Sequence, residues 1–212
     1  MNSYLKKIVD IKDPEERFKV IDKLLNEKII NISLFEDYYI NIAGIDTIMF
    51  VKRYHDKVNI KRFEDAIIES ESSLCIYCFA LEIEGANINR LENALINTKD
   101  FSRMCYFASA SPKANISKLE EAIVQSRDAE YIYYFARDIQ STNIIRLEEA
   151  LLKTQSYRFT YHYLRDIKGI DIDSFDYITE VSHEEVIDIN TINRIVSLYN
   201  KPKVKTKQKL TY

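Results

Sequence analysis

From Asn31 onward a block of 28 residues recurs without a gap. The block openings read NISLFEDYYI, NIKRFEDAII, NINRLENALI, NISKLEEAIV, NIIRLEEALL and DIDSFDYITE, at Asn31, Asn59, Asn87, Asn115, Asn143 and Asp171. Column one is Asn five times and Asp once, column two is Ile in all six blocks, and column six is always acidic. Column five is Phe35, Phe63, Leu91, Leu119, Leu147 or Phe175. A period of this length marks a supersecondary unit that cannot bury its apolar stripe alone and does so against its neighbours.

Each opening reads as a helix. Asn or Asp at column one is a favoured N-cap, because its side-chain oxygen accepts from an amide one turn on. Apolar positions then fall at columns two, five, eight, nine and twelve, near the 3.6-residue period; in the fourth block these are Ile116, Leu119, Ala122, Ile123 and Ser126. The Ala column (Ala66, Ala94, Ala122, Ala150) suits a close helix–helix approach. A second helix follows in each block, with Asp100, Asp128 and Ser156 as N-caps and an inward face such as Ile132, Phe135, Ala136 and Ile139. Gly85 and Gly169 stand where a left-handed C-cap is expected. Two helices of about eleven residues and two loops of about three fill the period.

The expected fold is therefore all-α: an α-solenoid of about six 28-residue hairpins with a capping helix region at each end. Residues 1–200 form one domain, with 1–30 as N-terminal cap, 31–182 as repeats and 183–200 as C-terminal cap. The Asp13-Pro14-Glu15-Glu16 run marks a helix start inside the first cap. Only three Gly and three Pro in 212 residues argue against the many tight turns of an all-β fold.

The phrases NIxxLExAI and YIYYFARDI resemble repeats in uncharacterised proteins of phages and AT-rich bacteria, over about residues 31–182. In architecture the unit is similar to the HEAT and tetratricopeptide solenoids, with a shorter period and without the tetratricopeptide Trp/Gly/Pro signature. That resemblance implies no particular activity.

Several columns could carry function. Glu36, Glu64, Glu92, Glu120, Glu148 and Asp176 could face a basic partner or a metal; as first-turn acids they also suit the helix dipole and a pairing with a neighbouring repeat, which is the reading preferred. Arg62, Arg90, Lys118 and Arg146 could track a phosphate backbone. Asp65, Glu121 and Glu149 lie three residues beyond such cations, so self-pairing along the helix competes. Among fifteen tyrosines, Tyr77, Tyr106, Tyr131, Tyr134 and Tyr161 on the second helices are the best candidates for partner binding. Cys75, Cys78 and Cys105 lack a fourth zinc ligand, and His55, His162 and His183 are scattered; no catalytic, cofactor or metal motif is present.

Charge completes the picture. Five of the 30 basic residues lie in the acid-free tail 201–212, leaving 25 basic against 33 acidic residues over 1–200, a net of −8. The tail, with Lys203, Lys205 and Lys207 among its alternating lysines, could add to a sheet edge or touch nucleic acid. No stretch reaches the roughly 18 apolar residues of a membrane span, and the charged start is unlike a secretory signal. The expected function is a non-catalytic protein-binding scaffold or inhibitor in the cytoplasm, of phage origin and needing no cofactor. Nucleic-acid binding through the basic column and the tail is the alternative.

Overall fold

Asn side chains that cap helices at a fixed interval dictate the architecture. A computed structural model describes residues 3–169, in which every regular element is helical. The helices are α1 (Ser3–Val9), α2 (Pro14–Asn26), α3 (Ser33–Ile42), α4 (Ile45–Arg53), α5 (Ile60–Glu69), α6 (Ser73–Glu82), α7 (Ile88–Asn97), α8 (Phe101–Ala110), α9 (Ile116–Ser126), α10 (Ala129–Asp138), α11 (Ile144–Lys153) and α12 (Tyr157–Asp166). The chain divides into two compact units, residues 1–119 and 120–212, with the division inside α9. The expected sixth block at Asp171, the C-terminal cap and the lysine tail lie outside the described residues. Among the described residues no helix is long and apolar enough to cross a membrane.

The capping expected at column one is present. Asn59, Asn87, Asn115 and Asn143 each accept, through the side-chain oxygen, the amide of column four at 3.2–3.4 Å. In the first block the helix begins later, and Asn31 accepts from Ser33 instead. Asp100 and Asp128 cap α8 and α10 as expected, whereas Ser156 stands at the start of α12 without a side-chain capping bond.

Two loop expectations are corrected. The turn inside a hairpin spans two or three residues, but the loop between hairpins spans five or six, as at 83–87, because most of the helices are ten residues long. Column twelve is also not an apolar position. Ser70, Thr98, Ser126 and Thr154 each donate a hydroxyl to the carbonyl three residues back, at 2.6–2.7 Å, and accept the amide two residues on. The residue at column thirteen is left-handed in every described block: Ala43, Glu71, Lys99, Arg127 and Gln155 have φ of 37–57°. This closes the first helix as a left-handed C-cap does, without glycine. Gly85, with φ of 75°, turns the interhairpin loop two residues beyond Ile83, where α6 ends in extended backbone.

In residues 1–119 the hairpins α3–α4, α5–α6 and α7–α8 stack: α5 packs on α3 and α7, and α6 on α4 and α8. In residues 120–169, α10, α11 and α12 pack against one another. Column five is fully buried in every described block, joined by Phe79, Phe107 and Phe135 from the second helices. The N-terminal region is tied down through Arg17, which is 6 % exposed. Its Nε and Nη2 donate to the Ile11 carbonyl at 3.0 and 2.8 Å, and its Nη1 meets Asp46 at 2.9 Å.

Candidate interaction surface

The acidic and basic columns resolve into one device. Glu36, Glu64, Glu92 and Glu120 are 9 %, 3 %, 1 % and 4 % exposed. Each accepts the backbone amide of the next block's Asn: Asn59 at 3.2 Å, Asn87 at 2.7 Å, Asn115 at 2.8 Å and Asn143 at 2.8 Å. Each also meets the next block's basic residue: Arg62 at 3.2 Å, Arg90 at 2.6 Å, Lys118 at 3.5 Å and Arg146 at 3.7 Å. The arginines use their second amino group on column seven, Arg62 on Asp37 at 2.9 Å, Arg90 on Asp65 at 2.7 Å and Arg146 on Glu121.

This corrects the expectation that the cations pair along their own helix. An arginine fork spans two carboxylates of the preceding block, one of them desolvated, which outweighs a single exposed acid three residues on. Arg90 and Arg146 hold Asp65 and Glu121 below their ordinary ranges, with Lys61 the larger influence on Asp65. The third rung is incomplete. Column seven is Asn93, the cation is Lys118, and the buried Glu92 Oε1 has no hydrogen-bond partner. Glu148, whose next block lies outside the described residues, meets Lys168 at 2.6 Å and the Tyr163 hydroxyl at 3.1 Å.

The tyrosines fall into two groups, one in each compact unit. On α6 and α8, Tyr106 is 60 % exposed, while Tyr77 is half-buried with the Arg103 guanidinium 6.0 Å from its ring. On α10 and α12, Tyr134 and Tyr161 are half-buried and join a larger cluster. Arg137 lies 4.9 Å over Tyr134 and 5.3 Å over Tyr133, Arg158 lies 5.4 Å over Phe159, and Arg165 lies 5.6 Å over Tyr161. Phe159 and His162 sit 6.0 and 5.9 Å from Tyr133. Tyr131 is half-buried at the start of α10.

Polar contacts fix the arrangement. Arg137 forks onto Asp138 at 2.6 and 2.7 Å, and Arg165 onto Asp166 at 2.6 and 3.2 Å. The Tyr133 hydroxyl donates to Asp166 at 2.5 Å. Arg165 and then Tyr133 hold the Asp166 carboxyl at about 2, while burial, with the acceptor Asp166, pushes the Tyr133 phenol up. Desolvation and the charge of Arg165 lower His162, whose Nδ1 lies 3.2 Å from Arg165 Nη2.

Phe159 and the three arginines escaped the sequence reading, and His162 was read only as one of three scattered histidines. Their signal was the Arg-Asp pair that ends both α10 and α12, three or four residues after an aromatic. A groove of about 560 Å³ on the first-helix side is lined by Arg127, Arg146, Lys153 and Glu149 over Val124 and Ala150, and so presents mixed charge. The three cysteines carry free thiols, and among the described residues no three metal-ligating side chains gather. None of the family models, curated proteins or solved structures compared with the chain matches it.

Proposed function

We propose that the chain is a non-catalytic protein-binding scaffold or inhibitor, of phage origin, acting in the host cytoplasm. Its body is an α-solenoid of about six 28-residue hairpins with capping helices, and its partner surface is the aromatic and arginine cluster on α10 and α12. That cluster is the observation that carries the reading. Tyrosine and arginine are the residues in which interface energy concentrates, since they bring large area at low entropic cost. Here the rings are already braced by guanidiniums, so little ordering remains for binding to impose. The arginines Arg137 and Arg165 are each neutralised by the next aspartate. Such a surface suits a partner recognised by shape and stacking more than by charge.

Nucleic-acid binding draws less support. The cations Arg62, Arg90, Lys118 and Arg146 each face a carboxylate within 3.7 Å. A phosphate would have to displace those contacts in a body of net negative charge. The lysines Lys203, Lys205 and Lys207 remain as the source of any such affinity.

The test is capture from the native host with identification by mass spectrometry, followed by titration of the identified protein. Tyr134→Ala with Tyr161→Ala should weaken it at least about tenfold while the helical signal stays intact. If the full chain instead binds DNA or RNA tightly at physiological salt after Lys203, Lys205 and Lys207 are replaced by Gln, the reading fails.

A further inference from the structure

The blocks serve as controls for one another, and they single out one groove. It lies on the first-helix side of residues 120–169 and holds about 560 Å³, with Arg127, Arg146, Lys153 and Glu149 over Val124 and Ala150. Arg127 follows α9 and Lys153 ends α11, places where a helix dipole favours a cation. The fold does not require one there. Over the first four blocks column thirteen runs Ala43, Glu71, Lys99 and Arg127. Column eleven runs Asn41, Glu69, Asn97, Gln125 and Lys153 over all five described blocks. Cations thus meet at this groove in positions that the second block fills with two acids. Val124 is also one carbon shorter than Ile40, Ile68 and Ile96 of its column, which leaves room above Ala150. Arg146 is committed to Glu120 and Glu121, but among the described residues neither Arg127 nor Lys153 has an ion-pair partner, and both are exposed.

We propose that this groove binds a short acidic peptide segment of a partner protein, with carboxylates on Arg127 and Lys153 and an apolar side chain over Val124 and Ala150. Charge complementarity selects this occupant. The two uncommitted cations oppose a single acid, Glu149, so the site favours an anion. An arginine fork and a lysine ammonium both serve a carboxylate well. The surrounding body carries a net −8 over residues 1–200, which repels an extended polyanion such as nucleic acid. A segment with two or three carboxylates needs only the groove. The apolar floor adds what a bare phosphate or a free amino acid could not use. Exposed charge pairs contribute little each, so affinity should be modest, with a dissociation constant below about 1 mM at low salt.

The groove is distinct from the cluster on α10 and α12, so this site and the proposed partner surface stand or fall independently. The test is an amide chemical-shift titration of the full chain with the capped peptide EELEELE, and with QQLQQLQ as its neutral counterpart. EELEELE should saturate and shift amides at the end of α9 and along α11, and QQLQQLQ should not. Arg127→Glu with Lys153→Glu introduces acids that the same columns already carry at Glu71 and Glu69, so the fold should stay intact. That pair should weaken EELEELE about tenfold or more. Glu149→Gln removes the opposing acid and should tighten it about two- to threefold, a gain that misfolding cannot imitate. The proposal is overturned if EELEELE fails to saturate by about 5 mM, or if the paired substitution leaves its affinity unchanged. Equal binding of QQLQQLQ, shifts confined to α10 and α12, or tighter binding of an oligothymidylate at the groove would overturn it as well.

Discussion

Glu64 is nearly sealed from water, and its contacts lie in the following repeat, 23 residues away at the Asn87 amide and 26 away at Arg90. Removing its side chain strands both donors. Glu64→Ala should cost about 1–3 kcal/mol in urea unfolding, the penalty for leaving a buried donor unpaired. A loss below about 0.5 kcal/mol would mean that water satisfies the amide and the rung is ornamental. The incomplete third rung makes the converse prediction. Asn93→Asp with Lys118→Arg should supply the missing fork to Glu92 and raise stability by about 0.5–1.5 kcal/mol. Destabilisation by the pair would show that the fork does not form there. The acidic and basic columns were visible in the sequence as columns, but their pairing was not. Spacing on one helix suggested Arg62 with Asp65, because contacts to the preceding block depend on how one hairpin is offset against the next.

At the scale of elements, the helix starts were legible because Asn and Asp cap through a local side-chain bond. The inward faces were legible too: Leu119 and Phe135, expected in the core, are both fully buried. Leu119→Ala should therefore cost about 2–5 kcal/mol and Phe135→Ala about 3–5 kcal/mol; losses under about 1 kcal/mol at both would place the wrong face inside. The hairpin turn was not legible. Its left-handed position is held by Ala, Glu, Lys, Arg and Gln, none of which announces that conformation. In four of the five described blocks it follows a hydroxyl that closes the helix before it, at Ser70, Thr98, Ser126 and Thr154; Ala43 follows Ile42 and has no such hydroxyl. A non-glycine residue there carries a steric cost that glycine avoids. Lys99→Gly and Arg127→Gly should each raise the unfolding free energy by about 0.5–1 kcal/mol, less than the full steric relief because glycine also loosens the unfolded chain. A drop in stability for both would mean that the side chains, both largely in solvent, hold the turn by contacts rather than tolerate it. The tyrosine clusters lie between these cases. Composition pointed to the second helices, but the arginines and Phe159 that organise Tyr134 and Tyr161 meet only once α10 and α12 are packed.

For the whole molecule, the ionisable groups give stability a direction with pH. Asp65, Glu121 and Asp166 all ionise more readily when folded, Asp166 at about 2. A carboxyl with a lowered folded value contributes its stability above the unfolded value, near 4, and loses it as pH falls through the folded value. The two described histidines act at higher pH and oppose each other. His55 is raised, first by its bond to the Glu84 carbonyl and then by Asp56, so its contribution is complete below about 6.5 and fades as pH rises. His162 is lowered by desolvation and by Arg165, so the folded state resists its protonation and loses stability as pH falls below about 6.5. Between pH 7 and 5 these two effects run in opposite directions. From pH 4 to 2 the carboxyls act together, and the midpoint should fall steeply. Asp166→Asn isolates one of them: it keeps an acceptor for Tyr133 but loses the charge opposite Arg165. That variant should be less stable than the parent at pH 7, with the gap closing as pH approaches 2. A gap that stays constant from pH 7 to 2 would show that Asp166 acts through packing alone and that its charge contributes nothing to the fold.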